Sequence, residues 1–392
     1  MKMNTSFLYF AGLLASYPFA FAFAVADPVS DDLLWGPAKL PVAADLAFAP
    51  GLVNGTVHRA VAGEYQFLHG AAIVAWRGQL FASWAASPVD ENSGKETLRY
   101  SRSLNGGEDW EPARFIGSVL PSGEAFSHGS FLATQDNLFA FACRFRGVAS
   151  ERGKGPTFPG LKMELFRYHE VHGRWESSGI LADGFWPMDE PKRLPTGAWI
   201  MGGLGENEEA LVAISDGPDV SKPWRIIRLA QPSGRELRFA ETSVTLLDGR
   251  LLAVTRNTGE PRALVAESAD YGETWSPLVS SIFPMGTSKP YAGRLSTGQL
   301  YVVSNLFAGR NLLTVAVGRP GAKRIERVFK LREGVSPQPL FPGYAKSPQW
   351  SYPYAHEHNG NLYVVYSIGK EDCGLTIIPI QSLAIEGSPS GS

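Results

Sequence analysis

The sequence predicts an all-β protein, and more narrowly a six-bladed β-propeller, on three observations: its composition, a repeated pair of strands, and the residues of its turns. The 392 residues include 42 glycines and 28 prolines, as expected for many short strands joined by tight turns. A hydrophobic fraction of 44% with only 19% charged residues supplies a core and argues against disorder. No stretch has the periodicity and capping residues of a long amphipathic helix.

Six pairs of apolar segments recur along the chain, most of them joined by a turn that contains glycine. The pairs are residues 71–74 with 79–84, 130–134 with 137–143, 190–194 with 198–202, 242–247 with 250–256, 291–295 with 299–305, and 354–358 with 361–367. Turns such as Trp-Arg-Gly at 76–78 and His-Asn-Gly at 358–360 have the residues that hairpins prefer. The pairs begin about 50 to 65 residues apart with room for four strands in each unit, which predicts a propeller.

The last unit has only about three strands before the Ser/Gly-rich end of the chain. The segment 27–66 carries residues 33–35 and 56–61, which could supply the missing strand and close the ring. A seventh blade in residues 27–66 or 311–350 is the alternative. We therefore expect one propeller domain over residues 27–386, followed by a flexible tail, 387–392.

Residues 1–26 are interpreted as a secretory signal peptide. Lys2 is followed by an apolar run that ends in Ala24, Val25 and Ala26, and small residues flank cleavage sites. An uncleaved membrane anchor is the alternative, since about 20 apolar residues could span a bilayer. The signal peptide predicts a secreted or periplasmic protein with no membrane insertion after cleavage.

The charge and the cysteine count exclude several classes of partner and cofactor. The formal net charge is −2, from 36 basic and 38 acidic residues, so no basic field exists for nucleic acid. Cys143 and Cys373 are the only cysteines, too few for a disulfide framework or a cysteine zinc site. We expect a monomer that needs no metal and no cofactor.

One turn motif occurs twice and carries a family resemblance. Residues 268–275, Ser-Ala-Asp-Tyr-Gly-Glu-Thr-Trp, fit the pattern Ser-x-Asp-x-Gly-x-Thr-Trp, and residues 103–110 are a near copy. The Asp or Asn side chain holds the turn, and glycine takes a positive φ. The motif resembles the Asp-box of the sialidase superfamily, which implies a sialidase-like propeller in which the turn joins the third and fourth strands of a blade.

A propeller presents its binding face where first strands begin and second strands end. Polar residues occupy these positions in each unit: His69, His128, Asp189, Glu190, Glu241, Lys289, Tyr352, Tyr354, and Asp90, Arg144, Arg256, Arg310 and Lys370. Polar residues at this edge of each unit indicate a functional rim.

The resemblance to sialidases assigns roles to some of these residues. The segment 239–257 is similar to the family segment with a catalytic Glu, here Glu241, and a carboxylate-binding Arg, here Arg256. By the same resemblance Arg310 is another Arg of the clamp, Tyr352 the nucleophile and Asp90 the acid/base. We expect His128, Arg144, Lys289 and Tyr354 to bind substrate as well.

Two departures from the family pattern concern the carboxylate clamp. The first clamp Arg is missing, because residues 67–70 read Phe-Leu-His-Gly, and a late Glu is replaced by Ser367. His69 also resembles the proton-transfer His of propeller lyases that remove rhamnose from glucuronic acid, and an imidazole serves as base and acid near neutral pH.

The predicted function is an exported, exo-acting, sialidase-like glycoside hydrolase of terminal acidic sugars on glycans. The enzyme alternative is a rhamnose-glucuronate lyase with His69 as the proton shuttle. A non-catalytic glycan-binding propeller is the third possibility.

Overall fold

The structure is a computed structural model that describes residues 33–37, 39–146, 156–232, 236–343 and 345–385. The predicted signal peptide and the predicted tail lie outside the described residues. Six antiparallel sheets account for the strands, each a blade in which the strands follow one another outward. Three short 3-10 helices complete the regular structure of the described residues, Ala43–Asp45, Glu170–His172 and Ile380–Leu383.

The blades are given from the innermost strand outward. Blade 1 consists of Phe67–Trp76, Gln79–Ser87, Thr97–Ser103 and Arg114–Gly117. Blade 2 consists of Ala125–Ala133, Leu138–Phe145, Lys162–His169 and Arg174–Asp183. Blade 3 has a first strand in two pieces, Phe185–Pro187 and Lys192–Arg193, followed by Trp199–Gly205, Ala210–Ser215 and Trp224–Arg228. Blade 4 consists of Thr242–Leu247, Arg250–Thr255, Leu264–Ser268 and Val279–Ser280. Blade 5 consists of Tyr291–Arg294, Gln299–Asn305, Leu312–Pro320 and Arg327–Glu333. Blade 6 consists of Trp350–His358, Asn361–Ile368, Asp372–Pro379 and the early strand Val53–His58.

The six-bladed prediction is confirmed, and so is the strand expected to close the ring. Val53–His58 pairs antiparallel with Asp372–Pro379, with Asn54 opposite Thr376. The first described strand thus completes the last blade and covers an edge that would otherwise be open. The alternative of a seventh blade is wrong, because residues 311–350 supply the outer two strands of blade 5 and the start of blade 6.

The Asp-box turns have the predicted geometry and the predicted place. Asp270 Oδ1 accepts the Thr274 N–H at 2.9 Å and the Ser268 hydroxyl at 2.8 Å. Gly272 has φ +97°, a conformation that strains residues with a Cβ, and the Trp275 indole donates to its carbonyl at 3.0 Å. The turn joins the third and fourth strands of blade 4, and the copy at 103–110 does the same in blade 1.

Buried polar groups tie the blades together around the centre of the ring. Asp189 of blade 3 is fully buried and accepts the N–H groups of Gly202 at 2.7 Å and of Val244 in blade 4 at 2.6 Å. Lys289 donates to the carbonyl oxygens of Met188 at 3.1 Å and Pro353 at 3.0 Å. These contacts fix the inner strands, and with them the side chains that they present. No helix among the described residues has the length and apolarity to cross a membrane.

Candidate active site

A cavity of about 220 Å³ lies at the end of the ring where first strands begin and second strands end. Its polar wall consists of His69, Glu91, Asn92, Glu96, Ser127, His128, Glu241, Arg256, Arg310, Tyr352 and Lys370. Its apolar wall consists of Phe158, Trp186, Met188, Leu204 and Phe239. Every blade contributes to this lining, so the cavity exists only in the closed ring.

Irregular first strands bring three of these side chains together. The pairing register shifts between His69 and Ala72 in blade 1, between Ser127 and Gly129 in blade 2, and between Ser351 and Tyr354 in blade 6. A bulge inserts a residue into one strand and redirects the side chains beside it. The bulges lie at or beside His69, His128 and Tyr352, which all line the cavity.

Tyr352, Glu241 and Arg256 form the hydrogen-bonded centre of the cavity. The Tyr352 hydroxyl donates to Glu241 Oε1, and Arg256 Nη1 donates to the same hydroxyl at 3.2 Å. Arg256 Nη1 also contacts the two Glu241 oxygens at 3.0 and 2.9 Å. Burial, followed by the Glu241 carboxylate, raises the pKa of Tyr352 well above its ordinary value. The resting phenol is therefore protonated, with a carboxylate in place to accept its proton.

Arg310 is a second, partly buried guanidinium in the cavity. Its Nη1 donates to Gln349 Oε1 at 2.7 Å and its Nη2 to the Thr287 carbonyl at 3.2 Å. Its Cζ lies 5.4 Å from the centroid of the Tyr352 ring. Both hydrogen-bond partners are neutral oxygens, so the positive charge is available to an anionic ligand.

Two buried histidines stand beside Tyr352. The His69 ring centroid is 3.9 Å from that of Tyr352, and its Nδ1 lies 2.9 Å from Ser367 Oγ. Burial, with Lys370 and neighbouring cations, holds the pKa of His69 well below its ordinary value, and burial lowers that of His128 to about 3. At neutral pH both imidazoles are therefore uncharged. Gly70 makes room for His128, because a Cβ on it would lie 2.1 Å from that ring.

Two glutamates reach the cavity from the loop between the second and third strands of blade 1. Glu91 accepts a hydrogen bond from Lys370 Nζ, and its Oε1 lies 3.7 Å from His69 Nε2. Glu96 is buried and its Oε1 accepts the Asn92 N–H at 3.2 Å. Burial and the nearby Glu91 raise the pKa of Glu96 to about 8. Two carboxyl groups near each other thus differ in environment, as in sites of acid/base catalysis.

Strained backbone conformations are concentrated around the cavity. Nine non-glycine residues of the described chain have a positive φ. Four of them line the cavity: Asn92 at 55°, Phe239 at 47°, Tyr352 at 56° and Lys370 at 59°. Such conformations cost about 1–3 kcal/mol each and cluster where function requires a fixed geometry.

Six of the site residues predicted from the sequence line the cavity and four do not. His69, His128, Glu241, Arg256, Arg310 and Tyr352 meet there. Asp90 lies outside the lining, where its Oδ1 accepts the N–H groups of Glu91 at 2.9 Å and Ala345 at 3.2 Å. The cavity position expected for Asp90 is taken by Glu91.

The other three outlying residues have contacts of their own. Arg144 is bound by Glu124 and, at 3.1 Å, by Glu164. Lys289 holds backbone carbonyls beneath the cavity, and burial lowers its pKa to about 8. Tyr354 is buried with its ring centroid 4.5 Å from that of Tyr291.

Glu91, Glu96 and the apolar wall are not predicted from the sequence. Glu91 is adjacent to the predicted Asp90, and Lys370 has a predicted place on the rim but no predicted role. Glu96 carried no signal, because a charged residue after a Ser-Gly-Lys loop is expected in solvent. The apolar wall is indistinguishable in sequence from core.

Comparisons with known proteins agree with this architecture. Residues 173–364 match the BNR repeat-like domain. A comparison with curated protein sequences finds no match. Among solved structures, a protein titled "Sialidase" is similar with a TM-score of 0.62 and 17% identity, over 89% of this chain and 35% of its own length. This chain thus spans about a third of that protein.

Two further structures are similar over most of the propeller. The intramolecular trans-sialidase from Ruminococcus gnavus, in complex with oseltamivir carboxylate, has a TM-score of 0.63 and 12% identity, over 84% of this chain and 98% of its own. A Hadza microbial sialidase has a TM-score of 0.66 and 15% identity, over 84% of this chain and 69% of its own. The chain thus has a sialidase-like six-bladed β-propeller fold, and its residues 173–364 match a BNR repeat-like domain.

Proposed function

We propose that the protein is an exported, exo-acting glycoside hydrolase that removes terminal acidic sugars from glycans by a sialidase-like mechanism. The observation that carries the proposal is the hydrogen bond from the Tyr352 hydroxyl to the Glu241 carboxylate. Arg256 donates hydrogen bonds to both groups. A phenol needs a base to become a nucleophile, and a buried tyrosine–glutamate pair meets that need. A neutral nucleophile also avoids bringing a carboxylate against an anionic sugar.

In the first step the Tyr352 oxygen attacks the anomeric carbon while its proton passes to Glu241. The bond to the leaving oxygen breaks, and that oxygen takes a proton from an acid. In the second step water attacks the anomeric carbon and the bond between that carbon and the Tyr352 oxygen breaks. The water gives a proton to the group that acted as the acid in the first step, and the Tyr352 oxygen takes its proton back from Glu241. Two displacements at one carbon retain the configuration. Arg256 and Arg310 bind the carboxylate of the sugar, for which guanidinium forks are suited.

We assign the acid/base role to Glu91 in place of Asp90. The Glu91 carboxylate lines the cavity, whereas the Asp90 carboxylate caps backbone N–H groups beside it. Glu91→Gln is expected to slow glycan hydrolysis about 10²- to 10⁴-fold. An aryl glycoside with a good leaving group needs less proton donation, so its cleavage is expected to fall less.

Asp90→Asn is the matched control for that experiment, since it changes the adjacent carboxylate in the same way. It is expected to keep most of the activity on both substrates. The reverse order, with Asp90→Asn inactive and Glu91→Gln active, would return the role to Asp90.

The proposal is tested with two substrates, a sialylated glycan and a rhamnose-capped glucuronoside. Release of free sialic acid, followed by mass spectrometry, is the expected result. Release of rhamnose with the ultraviolet absorbance of an unsaturated uronate would instead support the lyase alternative. Binding of either glycan without product would favour a glycan-binding propeller.

The lyase alternative rests on His69. Its imidazole is neutral at neutral pH, and its Nε2 has no hydrogen-bond partner among the described residues. A neutral imidazole beside a tyrosine can take a proton from a sugar carbon. His69→Gln would abolish the lyase reaction, while a hydrolase that uses Tyr352 would keep the chemical step.

Export is proposed from the composition of residues 1–26, and a partner other than nucleic acid from the net charge of −2. N-terminal sequencing of the protein from the periplasm or the culture medium tests the first point. A mature chain that begins at Asp27 is the expected result, and a full-length chain in the membrane fraction would contradict it.

A further inference from the structure

We propose that Lys370 is a third cation of the anion-binding site and binds the substrate's carboxylate together with Arg256 and Arg310. This inference rests on the proposed function, because it presumes an acidic sugar in the cavity. It adds a specificity-determining residue from the last blade that no sequence motif identifies.

The position of Lys370 is the first argument. It follows the second strand of blade 6, lines the cavity, and its side chain is only 9% exposed. Its carbonyl accepts the N–H of Leu68, the buried apolar residue at the start of blade 1, at 3.0 Å. Lys370 therefore places a positive charge between blades 6 and 1. The first strand of blade 1 has no cationic side chain at this position.

The rigidity of this placement is the second argument. The φ of Lys370 is 59°, a conformation that an L-residue keeps only when its surroundings impose it. The next residue, Glu371, is buried and accepts the N–H groups of Leu340 and Phe341, each at 2.7 Å. Lys346 Nζ binds the same carboxylate at 2.8 Å. The turn that carries Lys370 is thus anchored on its far side.

The charge balance of the cavity is the third argument. Glu241 is paired with Arg256 and Glu91 with Lys370, whereas both hydrogen bonds of Arg310 go to neutral oxygens. Three cationic side chains then face two ion-paired carboxyl groups, and burial raises the pKa of the third, Glu96, to about 8, which keeps it neutral below that pH. The surplus of positive charge matches one ligand carboxylate.

The two members of the Lys370–Glu91 pair differ in freedom. Glu91 is 23% exposed and stands on a loop, whereas Lys370 is fixed by its turn. A ligand carboxylate can therefore take the place of Glu91 on Lys370, which releases Glu91 toward the leaving group. An ammonium is a point charge, so this contact fixes the anion's position without demanding the planar alignment of a guanidinium.

The test is the affinity of a non-hydrolysable probe measured by calorimetry. The probe is 2-deoxy-2,3-didehydro-N-acetylneuraminic acid, and its methyl ester is the neutral reference. Lys370→Gln is expected to raise the Kd for the acid about 10- to 100-fold, the range for a charged hydrogen bond, and to leave the ester unaffected. Lys370→Arg, which keeps the charge, is expected to restore most of the affinity.

Two further variants separate binding from a structural role. Lys330→Gln is the matched control, because Lys330 is 8% exposed and paired with Glu333 outside the cavity, and it is expected to leave the Kd unchanged. Glu91→Gln removes the partner of Lys370. If Lys370 acts only by holding Glu91, both variants weaken binding alike, which would overturn the inference. If Lys370 binds the ligand, Glu91→Gln leaves the affinity equal or higher.

The wild-type protein distinguishes failure of this inference from failure of the proposed function. A wild type that prefers the acid to the ester, with Lys370→Gln unchanged, refutes the inference alone. A wild type without this preference refutes the proposed function and the inference with it. Thermal melts of each variant show that it is folded before its Kd is compared.

Discussion

Deletion of the Tyr352 hydroxyl separates its catalytic contribution from its contribution to stability. In Tyr352→Phe one oxygen is lost, together with the hydrogen bonds to Glu241 and Arg256. A hydrogen bond to a charged group contributes about 1.5–3 kcal/mol when its loss leaves a partner unpaired. Here Glu241 and Arg256 remain bound to each other at 2.9 and 3.0 Å, so neither is left alone.

The expected cost in stability is therefore about 1.5 kcal/mol, the low end of that range. For a domain of this size that corresponds to a fall in Tm of about 2 °C. The expected cost in catalysis is much larger, because no other atom at this position can form the bond to the anomeric carbon. A fall in kcat/KM of about 10³-fold or more corresponds to at least about 4 kcal/mol of transition-state stabilisation.

The assay is steady-state hydrolysis of an aryl glycoside of sialic acid, with Tm measured on the same preparations. Tyr301→Phe is the matched control, since Tyr301 is equally buried, in blade 5, and does not line the cavity. It is expected to keep its kcat/KM. A Tyr352→Phe variant that keeps more than about a tenth of the wild-type kcat/KM would refute the nucleophile assignment. It would move the chemistry to His69.

Three further predictions concern stability and pH. Burial raises the pKa of Glu96 from 4.5 to about 8, so the folded protein binds more protons than the unfolded chain between these values. The stability that this group contributes is complete below about pH 4.5 and is lost as the pH rises through 8. Glu96→Gln should therefore have a higher Tm than the wild type at pH 8 and nearly the same Tm at pH 4.5. Parallel profiles of Tm against pH for the two proteins would contradict the pKa shift. Gly70→Ala should lower the free energy of unfolding by more than about 2 kcal/mol, because φ is +61° and the new Cβ would lie 2.1 Å from His128. Gly63→Ala is the control, because Gly63 has φ +77° but open space around it, and it should lower the free energy of unfolding by only about 1 kcal/mol. Both values are measured by urea titration. Equal losses in the two variants would show that the structure relieves the contact with His128. Asp189→Asn should lower the free energy of unfolding, measured by chemical denaturation, by about 3–5 kcal/mol, because the carboxylate accepts hydrogen bonds from Gly202, Val244 and Lys192. A loss below about 1 kcal/mol would contradict its role in joining blades 3 and 4.

The ring could be predicted from sequence because its units repeat. Each predicted strand pair lies in the first two strands of a blade, and the Asp-box turns occur at the predicted place. These features depend on local chemistry, namely turn residues and apolar segments, which a sequence displays directly. The strand Val53–His58 was predictable for another reason: one blade lacked a strand, and closure required it.

The site was predictable only where a side chain lies on a strand or next to its end. Glu241 precedes a first strand and Arg256 follows a second strand, so the topology alone sets their place. Asp90 and Glu91 lie in a loop, where the choice between adjacent carboxylates depends on backbone angles. The left-handed Asn92, at φ 55°, is next to Glu91 and is not apparent from its sequence neighbours.

Tyr352 and Tyr354 show why the rest could not be predicted. Two residues apart in a regular strand, they would project from the same face, so strand alternation alone gives no reason to separate them, and only the family resemblance distinguishes Tyr352. The register shift between Ser351 and Tyr354 breaks that alternation. Tyr352 then meets Glu241 in the cavity, and Tyr354 packs on Tyr291. The position of the proposed nucleophile, Tyr352, thus depends on a bulge and a positive φ, and the same kind of irregularity places His69 and His128. The site is therefore assembled from residues at irregular strand positions. The sequence repeat shows where the strands lie, but it does not show where they depart from regular geometry.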